Sequence, residues 1–360
     1  MQKMDGMFYA PEAMGKKVTV VGPDIFCFAV IGMDHGHIYG MTNGLCEAGA
    51  TLTWVYDEDS SKVQAFLEKH PTGKAAPDIA TILSDKTVRL VASAIRPDKR
   101  AALGIQVMES GKDFFADKPG MLELEEADNV EKVCRQTGRK YAIYFSERIH
   151  VEGAVYTEQL INEGVLGRVV SVTILAPHRL SASTRPEWFF DPRYSGGILT
   201  DIGSHQLEQF LTYTGARTAT VTSSLVGNYA HHEYPAFEDY GQVSLLADNG
   251  ASGMVRVDWF TPDGLGAWGD GRMFIVGTKA TIEVRKYLDV AREAKGDQVY
   301  LVDKDGERHI CANGMTGFPF FGAFVLDCMH RTEKAITEAH TLETMRLAIR
   351  AEKQAKRIQV

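Results

Sequence analysis

Asp201 and His205 stand four residues apart, just after a glycine pair, in Gly196-Gly197-Ile198-Leu199-Thr200-Asp201-Ile202-Gly203-Ser204-His205. On a helix such residues project from one face, one turn apart. Histidine titrates near neutral pH and a nearby carboxylate orients and tunes it, so the pair is suited to taking a proton from a hydroxyl. The same spacing also describes an ordinary polar helix face, and the segment alone does not choose. A second candidate is Lys118, in Phe114-Phe115-Ala116-Asp117-Lys118-Pro119-Gly120. An apolar strand that ends there places a lysine at the carboxyl edge of an α/β sheet, where ligands bind. Its ammonium can stabilise negative charge developing on a substrate oxygen. The alternative is a loop in which Asp117 and Lys118 are simply solvated.

These side chains need a scaffold, and the pattern of apolar runs supplies one. Phe26 to Ile31 is a short apolar run ending at Gly32, as expected of a buried parallel strand, and a helix is expected over 37–48. Thr51 to Tyr56 reads as a second strand, and Ser60-Ser61 as the cap of a helix running to about His70. The alternation continues with strands at 90–94, 113–116 and 141–145 and helices at 97–110 and 123–137. It predicts an α/β fold with a doubly wound parallel sheet and right-handed crossovers. Beyond Ile149 a helix over 151–163 leads into β-rich sequence at 169–174, 218–226, 239–247, 251–259, 273–277 and 281–284, which predicts an α+β domain with a mostly antiparallel sheet. The expected division is a nucleotide-binding domain over 1–148, with a leader over 1–25, and a substrate domain over 149–360. Phe318 to Ile358 reads as helical, its earlier half packing on the first domain.

The first strand–helix turn is Gly32-Met33-Asp34-His35-Gly36-His37. Phosphate binding there needs a tight bend, close backbone approach and a helix N-terminus. Of the G-x-G-x-x-G positions only Gly32 is in register, with Asp34 and His37 in the other two. Asp57 follows Gly32 by 25 residues, where an acid would hold ribose hydroxyls. That acid favours NAD over NADP, since it would repel a 2′-phosphate and Lys62 is the nearest cation. The expected cofactor contacts are Gly32, Asp34, His35, Gly36, His37 and Asp57, Ile95 and Arg96 after the strand ending at Ala94, and Asp117 with Lys118. His35 and His37 also have the H-x-H spacing of metal ligands, but no cysteine or carboxylate cluster completes a set in the sequence, so no metal is expected.

Composition narrows the partners. A net charge of -8 argues against nucleic acid and anionic membranes, and points to a small-molecule ligand. With 44% hydrophobic and 24% charged residues, the 360-residue chain is ordinary for a globular protein with ample core. Five widely spaced cysteines without a C-x-x-C pair suggest reduced, buried thiols. The N-terminal stretch lacks the apolar core of a secretory signal and no run reaches membrane-spanning length, so a cytoplasmic location is expected.

Together the strand–glycine turn, Asp57, the Asp117-Lys118-Pro119 triplet and Gly196-Gly197 leading to Asp201 and His205 resemble the glucose–fructose oxidoreductase, inositol dehydrogenase and rhizopine-catabolism (Gfo/Idh/MocA) family. The triplet resembles that family's Glu-Lys-Pro. The resemblance implies a Rossmann domain followed by an α/β domain whose large open sheet makes homodimer or homotetramer contacts. It also implies that Lys118, Asp201 and His205 meet beside a nicotinamide. The expected activity is an NAD-dependent dehydrogenase acting on a secondary alcohol of a sugar, cyclitol or derivative. Two alternatives remain open: a glycosidase working by transient oxidation and elimination, and a non-catalytic dinucleotide-binding sensor. Expected substrate contacts are Arg148, His178, Arg193 and Trp188, the last as part of an aromatic wall.

Overall fold

A computed structural model of the chain describes residues 6–12, 19–290, 292–293 and 295–359. Within the expected leader, residues 1–5 and 13–18 therefore lie outside the described residues. The chain divides into two compact units. One comprises Met7–Tyr144 with Phe318–Leu342, the other mainly Phe145–Gly317 with the segment from Glu343 onward.

The first unit is a six-stranded parallel sheet of order β3-β2-β1-β4-β5-β6. Its strands are β1 (Cys27–Met33), β2 (Thr51–Tyr56), β3 (Lys74–Ala75), β4 (Val88–Ala94), β5 (Asp113–Asp117) and β6 (Tyr141–Tyr144). The helices are α1 (His37–Glu47), α2 (Ser60–Lys69), α3 (Ile79–Ser84), α4 (Pro97–Glu109) and α5 (Leu124–Thr137). Parallel strands covered on both faces need continuous apolar runs, and Phe28, Ala29, Val30 and Ile31 are all buried. The cap of α2 is Asp59, one residue earlier than the serines suggest: its carboxylate accepts the Ser61 N–H at 2.9 Å. Glu123 and Glu126 close a capping box at the start of α5.

The second unit opens with α6 (Ser146–Ile149) and α7 (Glu152–Asn162), followed by β7 (Val169–Pro177). Three helices then precede β8: α8 (Pro192–Ser195), α9 (Ile198–Asp201) and α10 (Gly203–Thr214). The remaining strands are β8 (Ala219–Gly227), β9 (Tyr240–Ala247), β10 (Ser252–Asp258), β11 (Arg272–Gly277), β12 (Ala280–Arg285), β13 (Gln298–Asp303) and β14 (Gly306–Cys311). Helix α11 (Pro319–His330) and the start of α12 (Glu338–Lys353) belong to the first unit, while the rest of α12 and β15 (Lys356–Ile358) belong to the second. Nine strands form one sheet, β14-β13-β12-β11-β7-β10-β9-β8-β15, antiparallel except at β7–β10 and β8–β15. Its register aligns Leu246, Ser252, Ser171, Val276, Thr281 and Val302 in one cross-strand row. Leu246, Val276 and Val302 are exposed, so the face expected to make subunit contacts carries apolar side chains.

Several expectations need correction. The end of the chain is not wholly helical, because Lys356–Ile358 pairs in parallel with β8. β3, β13 and β14 went unforeseen. Cys134 and Cys328 are buried as expected, but Cys46 and Cys311 are exposed, and no cysteine is in a disulfide. Among the described residues, no helix is long and apolar enough to cross a membrane.

Candidate active site

In the first unit the site begins at the turn after β1. Gly32 has φ +79° and lies against Ile95, whose Cβ would be 2.6 Å from an added β-carbon, so only glycine fits this bend. Asp57, at the end of β2, is tied back to the turn: its Oδ2 accepts the Met33 N–H at 2.7 Å and its Oδ1 the Asp59 N–H at 2.9 Å. Beside it opens a cleft of about 690 Å³ lined by Tyr56, Asp57, Ser60, Gln64 and Pro77 among others. Asp34, in the second glycine position, bridges the turn to its neighbours. Its carboxylate takes Lys62 Nζ at 2.6 Å and the Arg96 N–H at 2.8 Å, while the Arg96 guanidinium is bound by Asp98. At the start of α1, Gly36 lies so close to Met7 and Phe8 that a β-carbon there would overlap them. The described part of the leader thus packs on the turn.

At the end of β5, Asp117 is fully buried and is the hub of a network. His37 Nδ1 lies 2.8 Å from Oδ1, which also accepts the Lys118 N–H at 2.7 Å. Arg100 Nη2 and His35 Nδ1 lie 3.2 and 3.3 Å from Oδ2. Burial opposes ionisation of Asp117, but His37, Arg100 and His35 outweigh it and hold the carboxyl well below its usual range. Arg100 also donates to the carbonyl of Lys118, and to that of Pro119 at 3.0 Å. The Lys118–Pro119 peptide is cis and Lys118 is buried. Lys118 therefore hangs on a backbone held by a buried ion pair rather than in a solvated loop. The network also corrects the reading of the two histidines: His35, His37 and Asp117 bring donor atoms within 4.8 Å of one another, so a carboxylate does join the H-x-H pair. Arg100 already supplies countercharge to that carboxylate.

In the second unit Asp201 ends α9 and His205 lies in the first turn of α10, with Ile202 between the two helices in helical conformation. His205 N–H bonds the Ile202 carbonyl at 3.0 Å, a tightened turn, and the imidazole is 2% exposed. Asp201 is partly exposed and lines a small depression with Phe189, Phe237, Glu238 and Trp259. Near His205 lies a buried group that joins the expected substrate contact His178 to Glu147 and to Lys286, which no local pattern singles out. Glu147 Oε2 accepts Lys286 Nζ at 2.9 Å and Oε1 is 3.4 Å from His178 Nε2. Burial opposes charge on Glu147, but Lys286, His178 and His205 hold its carboxyl well below the usual range. His178 packs against Trp268 and Trp259, with ring centroids 4.6 and 5.5 Å away, and its Nδ1 faces the Ala176 carbonyl at 3.0 Å. The ring thus sits between a backbone carbonyl at Nδ1 and the Glu147 carboxyl group at Nε2.

The other expected substrate contacts are differently placed. Arg148 is buried, its Nε 2.7 Å from Glu208 Oε1 and its Nη1 2.8 Å from Glu158, so its donors serve the interior. Arg193 is 80% exposed and bound to Asp191. Trp188 is half-buried against Phe189 and is not among the residues lining the Asp201 depression. Phe189 and Trp259 form the aromatic wall there instead.

A doubly wound parallel sheet with an acid ending β2 and a lysine beyond β5, followed by a large mixed sheet, defines a nucleotide-binding oxidoreductase architecture. Residues 26–145 match the NAD-binding Rossmann fold of the oxidoreductase family, and residues 155–283 match the GFO/IDH/MocA C-terminal domain. The chain belongs to the Gfo/Idh/MocA family of oxidoreductases. A crystal structure from Erwinia carotovora atroseptica SCRI1043 is 43% identical, with a TM-score of 0.90, over 93% of this chain and 100% of the other. D-xylose dehydrogenase of Paenarthrobacter nicotinovorans is 27% identical over 152 residues, 41% of this chain and 39% of that protein. The chain thus spans well under half the length of that relative. scyllo-Inositol 2-dehydrogenase (NAD(+)) of Bacillus subtilis strain 168 is 24% identical over 71% of this chain and 72% of that protein.

Proposed function

We propose that this chain is an NAD-dependent dehydrogenase that oxidises a secondary alcohol of a sugar, cyclitol or sugar derivative. The observation that carries the reading is the buried imidazole of His205, one turn after Asp201 and near the Glu147–His178–Lys286 group. His205 takes the hydroxyl proton. Asp201 orients the imidazole or holds a neighbouring hydroxyl, and the ammonium of Lys118 steadies the alkoxide as it forms. When bound, the nicotinamide supplies the hydride acceptor. The residues present suit a dinucleotide: Gly32 keeps the turn open, α1 begins just after it, and Asp57 brings a carboxylate to the ribose position. That carboxylate is also the reason to place NAD ahead of NADP. The xylose and inositol dehydrogenases among the relatives support a polyhydroxylated substrate.

A screen of polyols, inositols and glycosides with NAD and NADP side by side tests this, and NADH is expected to form with NAD. Failure of every polyol to reduce either cofactor would overturn the reading, and a strong preference for NADP would remove the role given to Asp57. Release of an aglycone without net NADH would assign the same residues to redox-assisted glycoside cleavage. Asp34 offers a second check. An acid in the second glycine position opposes the approach of a pyrophosphate, even with Lys62 as its partner. Asp34→Gly is expected to lower the NADH dissociation constant about tenfold, measured by fluorescence titration. Unchanged or weaker binding would show that the carboxylate costs the cofactor nothing.

A further inference from the structure

The turn that carries Asp201 starts at Gly197, where φ is +79°. Two backbone donors at its start are taken by glutamates distant in sequence. Ile198 N–H donates to Glu238 Oε2 at 3.0 Å, and Leu199 N–H to Glu352 Oε2 at 2.9 Å. Gly197 lies so close to the Glu352 carboxyl group that a β-carbon would overlap it, so the missing side chain is what admits that carboxyl. The two carboxyl groups are thereby drawn together on adjacent N–H groups of one turn. Carboxylates only accept, so two carboxyl groups brought together in this way are best accommodated when one of them carries a proton to donate.

We propose that Glu238 and Glu352 share one proton and form a latch on the turn bearing Asp201, so that the position of Asp201 depends on that proton. Arg357 donates to Glu238 Oε1 at 2.6 Å, and Asp201 lines the same depression as Glu238. The neighbouring Asp239 is committed to His231 at 3.0 Å and to the N–H groups of Tyr229 and Ala230. With the proton in place, one negative charge is balanced by Arg357. Without it, two carboxylates face the Arg357 guanidinium with Asp201 close by, and their repulsion pulls an acceptor away from Ile198 or Leu199. Burial first, and then Glu238, push the Glu352 carboxyl well above its usual value. The folded chain therefore holds a proton that the unfolded chain releases. The stability this proton supplies is complete below the ordinary glutamate pKa and is lost as pH rises from there through the raised folded value.

The part of the proposal that concerns turnover rests on the dehydrogenase reading; the shared proton does not. Glu352→Gln keeps an oxygen for Leu199 N–H and an N–H for Glu238, so it mimics the protonated latch at every pH. Unfolding midpoints measured from about pH 5 to about pH 9 should decline for the wild type and stay level for Glu352→Gln. A decline of equal size in both would overturn the shared proton, and Glu238→Gln provides the same comparison if Glu352→Gln does not fold. The kcat profile of the wild type should carry a descending limb above the ascending limb set by His205, with KM little changed, and that descending limb should be absent from Glu352→Gln. A level stability profile beside an unmoved kcat profile would overturn the coupling to Asp201. If the wild type turns over no polyol at all, the dehydrogenase reading fails while the unfolding midpoints still decide the proton.

Discussion

Replacing His205 by Asn is expected to lower kcat by roughly 10²- to 10⁴-fold, the range over which a positioned general base contributes. Lys118→Ala is expected to lower it by roughly 10²- to 10³-fold, as for loss of one group aimed at a developing oxyanion. The two losses differ in character. An imidazole that accepts the hydroxyl proton leaves a pH signature, so the limb of the kcat/KM profile set by that base should vanish in His205→Asn. The ammonium of Lys118 acts on charge that exists only as the alkoxide forms, so its removal should depress kcat and kcat/KM together with little change in KM. Both variants should bind NADH. Lys118 is held through its backbone, by Asp117 and Arg100, and those bonds survive truncation of the side chain. Steady-state kinetics on a substrate found by the polyol screen gives the answer. Turnover within a few-fold of wild type in both variants would remove His205 and Lys118 from the chemistry.

How far these assignments could be read in advance depends on the distance over which each interaction acts. The first sheet was legible because its strands are covered on both faces: Phe28 to Ile31 and Phe114 to Ala116 are unbroken apolar runs, and helix-period sequence separates them. β14 gave no such signal, since Gly306–Cys311 is an edge strand with no buried residue, and β3 is two exposed residues held only by β2. Lys356–Ile358 follows a long helix without a break in polarity, and its strand conformation comes from pairing with β8. The candidate site divides in the same way. Asp201 and His205 are visible because four residues separate them, and Lys118 because it ends an apolar strand. Glu147 and Lys286 are 139 residues apart and His37 and Asp117 are 80, so burial alone brings each pair together. The glycine pair is a middle case. Its position ahead of Asp201 was plain, but the reason for Gly197 is a carboxyl group from α12 that no local pattern shows.

Arg148 provides the largest expected effect on stability. Its guanidinium bonds Glu208, which is wholly buried, and Glu158, which is partly exposed. Burial opposes charge on Arg148, but the two carboxylates more than restore it and raise its pKa. Arg148→Ala would leave Glu208 as an uncompensated charge in the interior, and breaking a buried pair from one side costs about 3–5 kcal/mol. Urea denaturation should therefore show a sharply lowered midpoint with a similar slope. Arg148→Met with Glu208→Leu removes both charges while keeping much of the volume, and should recover most of the loss, because well-packed apolar replacements of a buried pair are often near neutral. Arg193→Ala is the control: that side chain is 80% exposed on its partner Asp191, and surface changes of this kind fall within about 0.5 kcal/mol. The comparison separates two roles that sequence position cannot. An arginine that reads substrate hydroxyls changes KM and leaves the midpoint alone, whereas one that neutralises Glu208 does the reverse. An Arg148→Ala chain with wild-type stability and a raised KM would return Arg148 to the substrate site.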